Sequence, residues 1–233
     1  MPAATGRTVV VALDGPAGAG KSTVGRAVAR VLGFVFVETG KLYRAVGLKA
    51  LRERVPLADA GALAAMCART AIAYEFRGGS PTVFLDGENV TDRLGGPEVA
   101  EAASAVSAYP EVRAALLPIQ RKLAEGRGVV MEGRDIATVV FPDARYKFFL
   151  DASLSERARR RRLDLEALGI GMSEADVAAD LAARDARDTS RATAPLACAP
   201  DAEYLETTAR GFDDVVAAIV ERVRAGEGMN GGL

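Results

Sequence analysis

Short apolar runs alternate with amphipathic stretches along most of this 233-residue chain. The first run, at 8–13, is rich in valine, and the stretch from Lys21 to Leu32 places valines at helical spacing before Gly33. Apolar runs without polar alternation are typical of strands buried on both faces. Buried strands are likewise predicted at 34–37, 128–132 and 146–150, and a last strand is predicted at 202–206. Strands separated by helices predict an α/β fold with a doubly wound, parallel, five-stranded sheet flanked by helices.

The stretches between these runs carry the signals that begin helices. Ser153 and Glu156 form the sequence of a capping box, and Ser173 is placed to cap a further helix. Pro97 and Pro110 suit the first turns of two others. The pattern predicts helices at 21–32, 42–54, 59–69, 97–108, 110–125, 153–168, 173–187 and 211–225, and a frayed tail at 226–233.

The middle of the chain has a different pattern. Between 71 and 76, apolar residues alternate, which places Ile72, Tyr74 and Phe76 on one face of a strand. Gly78-Gly79 predicts a turn, and Asp86-Gly87 is a strong hairpin signal before another short strand. We expect a small antiparallel β unit of about 25 residues, inserted into the α/β chain.

Charge and composition exclude several classes of function. The chain has 30 Lys and Arg against 31 Asp and Glu, so a net charge of -1 gives no case for a nucleic-acid partner. It has no histidine, which removes histidine triads, histidine-ligated zinc and histidine bases. Hydrophobic residues make up 49% of the chain, enough for a sizeable core.

Location and assembly are predicted from equally simple features. Cys67 and Cys198 are far apart and lack metal-ligand spacing, which favours a reducing compartment. No apolar run approaches the roughly 20 residues of a membrane span, and the first seven residues lack the apolar region of a signal peptide. We therefore expect a cytoplasmic protein with no membrane partner. The near-neutral charge and the lack of an obvious exposed apolar segment make a monomer the expectation.

A glycine-rich turn between the first strand and the first helix carries the clearest chemistry. Gly15 to Ser22 matches G-x-x-x-x-G-K-[ST], whose backbone N–H groups can surround phosphates at a helix N-terminus. Lys21 would reach the β- and γ-phosphates, and the Ser22 hydroxyl would contact Mg²⁺. The predicted ATP-binding residues are Gly15, Pro16, Ala17, Gly18, Ala19, Gly20, Lys21, Ser22 and Thr23.

A P-loop indicates a nucleoside triphosphate without saying what is done with it. A GTPase switch would need N-K-x-D, which is absent, and Asp92-x-x-Gly95 lies in the β unit and is interpreted as coincidence. A motor or transport ATPase would need an apolar strand that ends in Asp, and Glu132 weakens that interpretation. A small-molecule kinase remains, with a metabolite alcohol or a phosphate monoester as acceptor, beside a regulatory nucleotide-binding module.

Arginines favour the phosphorylated acceptor. Such an acceptor is already mostly ionised at pH 7 and needs no base, which suits a chain rich in arginine and without histidine. Arg184, Arg187 and Arg191 are spaced to share one helix face and precede Ala-Pro-Leu, which predicts a mobile lid that closes over the triphosphate. The run Arg159–Arg162 circles its helix and is expected to remain a solvated surface.

Four motifs together resemble the bacterial-type cytidylate kinases: GPAGAGKST at 15–23, ETGKLYR at 38–44, EGRDIATVVFPDA at 132–144 and RDARDTSRATAPL at 184–196. The resemblance runs through nearly the whole chain. It implies transfer of the γ-phosphoryl group of MgATP to CMP or dCMP. It also implies a single P-loop kinase domain with three parts: a core at 7–55, 110–168 and 196–225, an acceptor-binding insert at about 56–109, and an Arg-rich lid at about 169–195.

The resemblance also implies roles for particular residues. Thr39, Arg44 and Arg134 would lie around the acceptor, with Arg44 and Arg134 on its phosphate. Ser104, Arg113 and Asp135 would recognise cytosine. Asp188 with Arg184 would approach the sugar, and Arg191 the transferring phosphates. The catalytic residues would be Lys21, Arg134, Arg184 and Arg191. Glu38 and Lys41 depart from the usual pattern of the ETGKLYR motif, which leaves open how sharply CMP is preferred.

Overall fold

The computed structural model describes residues 8–77 and 80–228. Its strands are β1 (Val9–Asp14), β2 (Val35–Glu38), β3 (Ile72–Arg77), β4 (Ser80–Leu85), β5 (Glu88–Asn89), β6 (Gly128–Glu132), β7 (Tyr146–Asp151) and β8 (Glu203–Glu206). Its helices are α1 (Lys21–Leu32), α2 (Gly40–Glu53), α3 (Ala60–Ala68), α4 (Pro97–Val106), α5 (Pro110–Lys122), α6 (Leu154–Ala167), α7 (Glu174–Ser190) and α8 (Phe212–Glu227). A 3₁₀ turn covers Thr91–Arg93, and a five-residue π-helix covers Ile136–Val140.

The main sheet has five parallel strands in the order β2-β6-β1-β7-β8. This confirms the predicted fold class. Because the strands are parallel, their carboxyl ends meet at one edge, where the loops after β1, β2 and β6 lie side by side. α8 extends to Glu227, so residues 226 and 227 are helical, and the prediction of a frayed tail is wrong for these two. The tail at 229–233, the first seven residues and the predicted Gly78-Gly79 turn lie outside the described residues.

Side chains of β1 alternate between the two faces of the sheet. Val11 and Leu13 pack with apolar residues of α1 and α8. Val10 and Ala12 pack on the opposite face with α2 and α5. Since both faces are covered, every second position has to be apolar on each side, which explains the uninterrupted apolar run in the sequence.

The predicted antiparallel unit is present as a sheet in the order β3-β4-β5. Asp86 (φ 50°) and Gly87 (φ 84°) both adopt positive φ and form the tight turn between β4 and β5. Tyr74 is buried, and the neighbouring Ile72 and Phe76 pack on the main core, as the alternation predicted. This sheet therefore uses one face to cover α2 and its surroundings.

α4 lies directly on α2. A Cβ at Gly47 of α2 would be 2.8 Å from the backbone nitrogen of Ala103 on α4, so the glycine permits this close approach. The contact places one face of α4 beside the carboxyl edge of the main sheet. The boundaries of the core, the insert and the lid stay predictions.

α6 and α7 pack against each other through a separate apolar cluster: Ala17, Ala158, Leu165, Val177 and Leu181. Both predicted serine caps form: Ser153 and Ser173 accept hydrogen bonds from backbone N–H groups three residues on. The reciprocal half of the capping box is absent, since the Glu156 carboxylate binds Arg159 and Arg160 instead. Within the described ranges, no helix is long and apolar enough to cross a membrane.

Candidate active site

The phosphate-binding loop leaves β1 through a sharp turn. Gly15 has φ of +143°, and a Cβ there would lie 1.9 Å from the carbonyl oxygen of Leu150 on the neighbouring strand. Only glycine fits this position. The loop leads into α1, whose N-terminal N–H groups and helix dipole face the carboxyl edge of the sheet. This edge is therefore suited to bind an anion.

Lys21 is buried in this loop. Its Nζ donates a 2.6 Å hydrogen bond to the carbonyl oxygen of Pro16. Burial, with the charges of Arg134 and Arg184, lowers the pKa of Lys21 to about 7, although the Glu132 carboxylate acts in the opposite direction. A bound polyphosphate would compensate these cations and restore the charge on Lys21.

Ser22 lies beside Glu132, the last residue of β6. Ser22 Oγ donates a 2.7 Å hydrogen bond to Glu132 Oε1. Glu132 Oε2 is buried without a hydrogen-bond partner among the described residues, and burial raises the pKa of this carboxyl group. A hydroxyl and an unsatisfied carboxylate are hard oxygen ligands of the kind Mg²⁺ prefers, so these residues fit a magnesium ion carried by a triphosphate.

Three residues predicted to lie around the acceptor line the next part of the cleft. Thr39 lies between β2 and α2 and donates from Oγ1 to the Glu132 carbonyl oxygen at 2.7 Å. Arg44 on α2 donates to the carbonyl oxygen of Leu94 at 2.7 Å. Arg134 follows β6 and donates from Nε to Asp188 at 3.0 Å. Two guanidinium groups thus line the same part of the cleft, and each has the paired N–H donors that can bind a phosphate in bidentate fashion.

The three residues predicted to recognise a base lie deeper in the cleft. Arg113 on α5 and Asp135 after β6 form a buried ion pair, each at most 7% exposed. Arg113 also donates to the Ser107 carbonyl oxygen at 3.1 Å, and its guanidinium lies 5.4 Å from the ring centre of Tyr43. Ser104 Oγ on α4 is buried without a partner in the described part of the chain. An unsatisfied hydroxyl beside a fixed charge pair suits a small polar ligand.

α7 contributes an anionic centre surrounded by arginines. Asp188 lies 3.0 Å from Arg134, 3.6 Å from Arg191 and 3.9 Å from Arg184. Burial alone would raise the pKa of Asp188, but these three cations outweigh it and hold the pKa below its usual value. Burial and the charge of Arg134 lower the pKa of Arg184 to about 10. One carboxylate cannot neutralise three guanidinium groups, so the cluster retains positive charge.

The structure corrects the prediction that the three lid arginines share one face. α7 ends at Ser190, so Arg191 leaves the helical phase and lies beside Ser107. Arg191 interacts electrostatically with Arg113 and Asp135. Arg187 turns away from the cleft and forms an exposed ion pair with Glu101 of α4.

The predicted solvated surface at Arg159–Arg162 is wrong for two of its residues. Arg160 and Arg161 line the cleft. Arg160 donates to the carbonyl oxygen of Thr207 at 2.7 Å and to its hydroxyl at 3.1 Å. Arg159 and Arg162 do bind glutamates of their own helix. No sequence signal marks this difference, because all four positions hold arginine and only packing selects the inward face.

Most of these groups line one open cleft of about 600 Å³ at the carboxyl edge of the main sheet. Among the described residues that line it, nine are Lys or Arg and five are Asp or Glu, an excess of four positive charges. The chain as a whole has a net charge of -1, so the positive charge is local. A positively charged cleft at a helix N-terminus favours binding of polyphosphates.

The cleft brings together every predicted acceptor residue and most of the predicted loop. Gly15, Pro16 and Ala19 do not line it; Pro16 instead supplies the carbonyl oxygen that accepts from Lys21. Residues that sequence reasoning missed are Glu132, as a partner of Ser22, and Arg160 and Arg161. For Glu132 a signal existed, because it ends a predicted parallel strand, and the carboxyl ends of parallel strands meet at the same edge of a sheet as the phosphate-binding loop.

The five-stranded parallel sheet, the loop after β1 and the arginine-rich cleft define this protein as a P-loop kinase. The family model described as cytidylate kinase matches residues 11–225. The chain belongs to the cytidylate kinase family.

Cytidylate kinases from other bacteria are similar in sequence to this chain over almost its whole length. The cytidylate kinase of Pelotomaculum thermopropionicum is 48% identical over 217 residues, covering 93% of this chain and 96% of the relative. That of Pasteurella multocida is 42% identical over 216 residues, covering 93% and 95%. A crystal structure of an uncharacterized protein from Eubacterium ventriosum superimposes with a TM-score of 0.51 at 12% identity, covering 93% and 99% of the two chains, which supports the fold alone.

Proposed function

We propose that this protein transfers the γ-phosphoryl group of MgATP to the phosphate of CMP and dCMP, giving CDP and dCDP. Membership of the cytidylate kinase family supports the reaction. The observation that carries the choice of acceptor is the group at the deep end of the cleft. There the Arg113–Asp135 ion pair lies in the same cavity as the unsatisfied hydroxyl of Ser104. Together these three side chains offer the hydrogen-bond donors and acceptors that a polar base edge requires.

ATP would bind at the loop after β1. The backbone of Gly15 to Thr23 would surround its phosphates, and Lys21 would leave the Pro16 carbonyl oxygen to contact the β- and γ-phosphates. Ser22 and Glu132 would hold the magnesium ion. Bound with the triphosphate, this ion would neutralise charge on the β- and γ-phosphate oxygens.

The acceptor phosphate would bind between Arg44 and Arg134, with Thr39 beside it. The second pKa of this phosphate is about 6, so the phosphate is mostly dianionic at pH 7 and its attacking oxygen needs no protein base. The residues then have two tasks, which are to place the oxygen in line with the γ-phosphorus and to offset the charge of two anions brought together.

The base would be selected by its donor and acceptor pattern. Cytosine presents the N4 amino group, which can donate a hydrogen bond to the Asp135 carboxylate, whereas uracil presents an oxygen that this carboxylate repels. Arg113 would donate to the acceptors of the base, and Ser104 Oγ would gain the partner that it lacks. Asp188 with Arg184 would approach the sugar.

Arg184 is the lid residue best placed for the transferred group. It influences the pKa of Lys21 together with Arg134, whereas Arg191 lies with the base-recognition group. We therefore assign charge stabilisation during transfer to Lys21, Arg134 and Arg184, and acceptor binding to Arg191.

We further propose a monomeric, cytoplasmic enzyme. Large exposed apolar side chains in the described part of the chain are dispersed over several elements, including Val31, Leu168 and Tyr204. Cys67 and Cys198 are both unpaired thiols, which suits a reducing compartment. Sedimentation at several concentrations tests the monomer.

The reaction is tested by ADP release from MgATP with CMP, dCMP, UMP, AMP or GMP, and without acceptor. We expect turnover with CMP and dCMP and little with the other three. Asp135→Asn should lower the preference for CMP over UMP by about tenfold or more, since a charged hydrogen bond is lost. Asp143→Asn, an exposed aspartate of the same segment, is the matched control. Turnover with AMP or UMP but not with CMP or dCMP would contradict the proposed choice of acceptor. ADP release without any nucleotide acceptor would contradict the proposed phosphoryl transfer to a nucleoside monophosphate.

A further inference from the structure

A buried aspartate outside all predicted site residues contacts the loop that recognises the acceptor. Asp14 is the last residue of β1 and is 1% exposed. Its Oδ1 accepts a 2.9 Å hydrogen bond from the backbone nitrogen of Ile136, and its Oδ2 accepts a 2.7 Å bond from that of Ala137. Both donors come immediately after Arg134 and Asp135 in sequence.

The same loop is fixed to β1 at its other end. The backbone nitrogen of Gly133 donates to the carbonyl oxygen of Leu13 at 3.0 Å. Arg134 and Asp135 therefore lie on a two-residue span that is fixed to β1 on both sides. Gly133, before the span, bonds to Leu13, and Ile136, after it, bonds to Asp14. The carbonyl oxygen of Asp135 also accepts hydrogen bonds from the backbone nitrogens of Val139 and Val140 in the π-helix, so Asp14 fixes the first turn of the element that Asp135 caps.

The electrostatics are consistent with an ionised carboxylate at neutral pH. Burial raises the pKa of Asp14 to about 6, while the two backbone N–H donors and Lys21 act to lower it and Asp135 acts to raise it. An ionised group offers both oxygens as acceptors, which is what two parallel N–H donors need. A neutral amide in the same place would direct an N–H group at one of them.

We infer that Asp14 is a positioning residue for acceptor selection, because its carboxylate fixes loop 133–137 and thereby holds Asp135 in line with Arg113 and the base. This inference rests on the proposed function. It also means that β1 supports both halves of the cleft, since Asp14 directly precedes the ATP-binding loop. Asp14 touches neither substrate in this role.

Asp14→Asn tests the inference through the ratio of kcat/KM for CMP to that for UMP. Effects on ATP binding cancel in this ratio. We expect the ratio to fall by about tenfold, as loss of a charged hydrogen bond predicts. In the Asp135→Asn background the same change should lower the ratio less than about twofold, because residues that act through one another are not additive. Asp151→Asn, at the end of the neighbouring β7, is the matched control with an unchanged ratio.

A second variant guards against misfolding. Asp14→Ser keeps one acceptor and opposes neither N–H group, and it should lower the ratio while amide exchange at Ile136 and Ala137 becomes faster. A fall in kcat for CMP and UMP alike, with the ratio preserved in both Asp14 variants, would overturn the inference and leave the proposed function intact. An unmodified protein with no preference for CMP would instead overturn the proposed function, and the role of Asp14 with it.

Discussion

Ser22 Oγ and Glu132 Oε1 are joined by a 2.7 Å hydrogen bond across 110 positions of sequence. The bond connects the first turn of α1 to the end of β6, and it places a carboxylate beside the hydroxyl that we propose as a magnesium ligand. Glu132 has one oxygen in this bond and the other without a partner in the described residues. The pair is therefore suited to orient a ligand and not only to tie two elements together.

Glu132→Gln should retain an acceptor for Ser22 and remove the negative charge. We expect kcat with CMP to fall about 10- to 100-fold and the free Mg²⁺ concentration for half-maximal rate to rise, since groups that support a metal contribute in this range. The measurement is the rate as a function of free Mg²⁺ at saturating ATP. Glu125→Gln, exposed in a turn, is the control. An unchanged Mg²⁺ dependence would remove Glu132 from the metal site.

Ser104→Ala should separate ligand binding from stability. Ser104 Oγ has no partner within the described structure, so its loss should leave the melting temperature unchanged within about 2 °C or raise it slightly. The KM for CMP should rise by about three- to tenfold, because one hydrogen bond to the base is lost. Ser107→Ala is the contrast, since Ser107 Oγ already donates to the Ser104 carbonyl oxygen at 2.8 Å. Equal effects of the two variants on KM would contradict the base-reading role of Ser104.

Lys21 should make ATP binding depend on pH. Its pKa is about 7 in the free protein, below its usual value, so at pH 8 the amine is mostly neutral until phosphates bind. Binding of ATP at pH 8 should then take up protons, and affinity should decrease as pH rises above 7. Calorimetry in buffers of different ionisation enthalpy measures this uptake. Lys21→Arg keeps a permanent charge and should take up fewer protons; the same uptake in both proteins would exclude Lys21 as its source.

The lowered pKa of Lys21 has the opposite effect on stability, which should increase with pH whereas ATP affinity decreases. Between pH 7 and the usual lysine pKa, the unfolded chain holds the proton that the folded protein has released. The free energy of unfolding from Lys21 therefore increases with pH in this window. Thermal unfolding without ligand at pH 7 and 9, compared between Lys21→Arg and the unmodified protein, measures it. A difference between the proteins that does not change with pH would contradict the lowered pKa.

Arg184→Ala and Arg187→Ala form a matched pair on α7. Arg184 lines the cleft with a buried Nε, so its loss should lower kcat about 100-fold or more, as removal of a charge-stabilising group does. Arg187 forms an exposed pair with Glu101, and its loss should change kcat less than about threefold and stability by at most about 1 kcal/mol. Steady-state kinetics with CMP distinguishes them. Similar losses in both variants would indicate a general effect on the lid.

The sequence alone was sufficient for the fold because its signals are local and strong. The apolar runs that form β1 and β6 are unbroken up to their final acidic residue, and the run that forms β7 contains only Lys147 as a charged residue before Asp151. Each strand is followed or preceded by a glycine, proline or capping residue at the correct place. The Asp86-Gly87 turn was predicted from two residues, since few other dipeptides adopt positive φ at both positions. The P-loop was predicted for the same reason, because its function depends on backbone conformation and spacing.

The sequence could not show which arginines face the cleft. Arg159 to Arg162 are identical in type, and the direction of each depends on how α6 packs against α7 and the loop at Ala17. Arg187 and Arg191 have the spacing of one helix face, but α7 ends at Ser190, so Arg191 lies beyond the helix. Helical phase predicts a shared face only while the helix continues.

The sequence by itself thus determined the order of the elements and the phosphate-binding loop, and it named many of the residues that line the cleft. Only the tertiary structure decided their pairing: Ser22 with Glu132, Arg113 with Asp135, and Asp14 with the backbone of Ile136 and Ala137. These partners are separated by 22 to 123 positions. Contacts over such separations depend on strand order and on burial, which creates the need for a partner, and neither is encoded in the neighbouring residues.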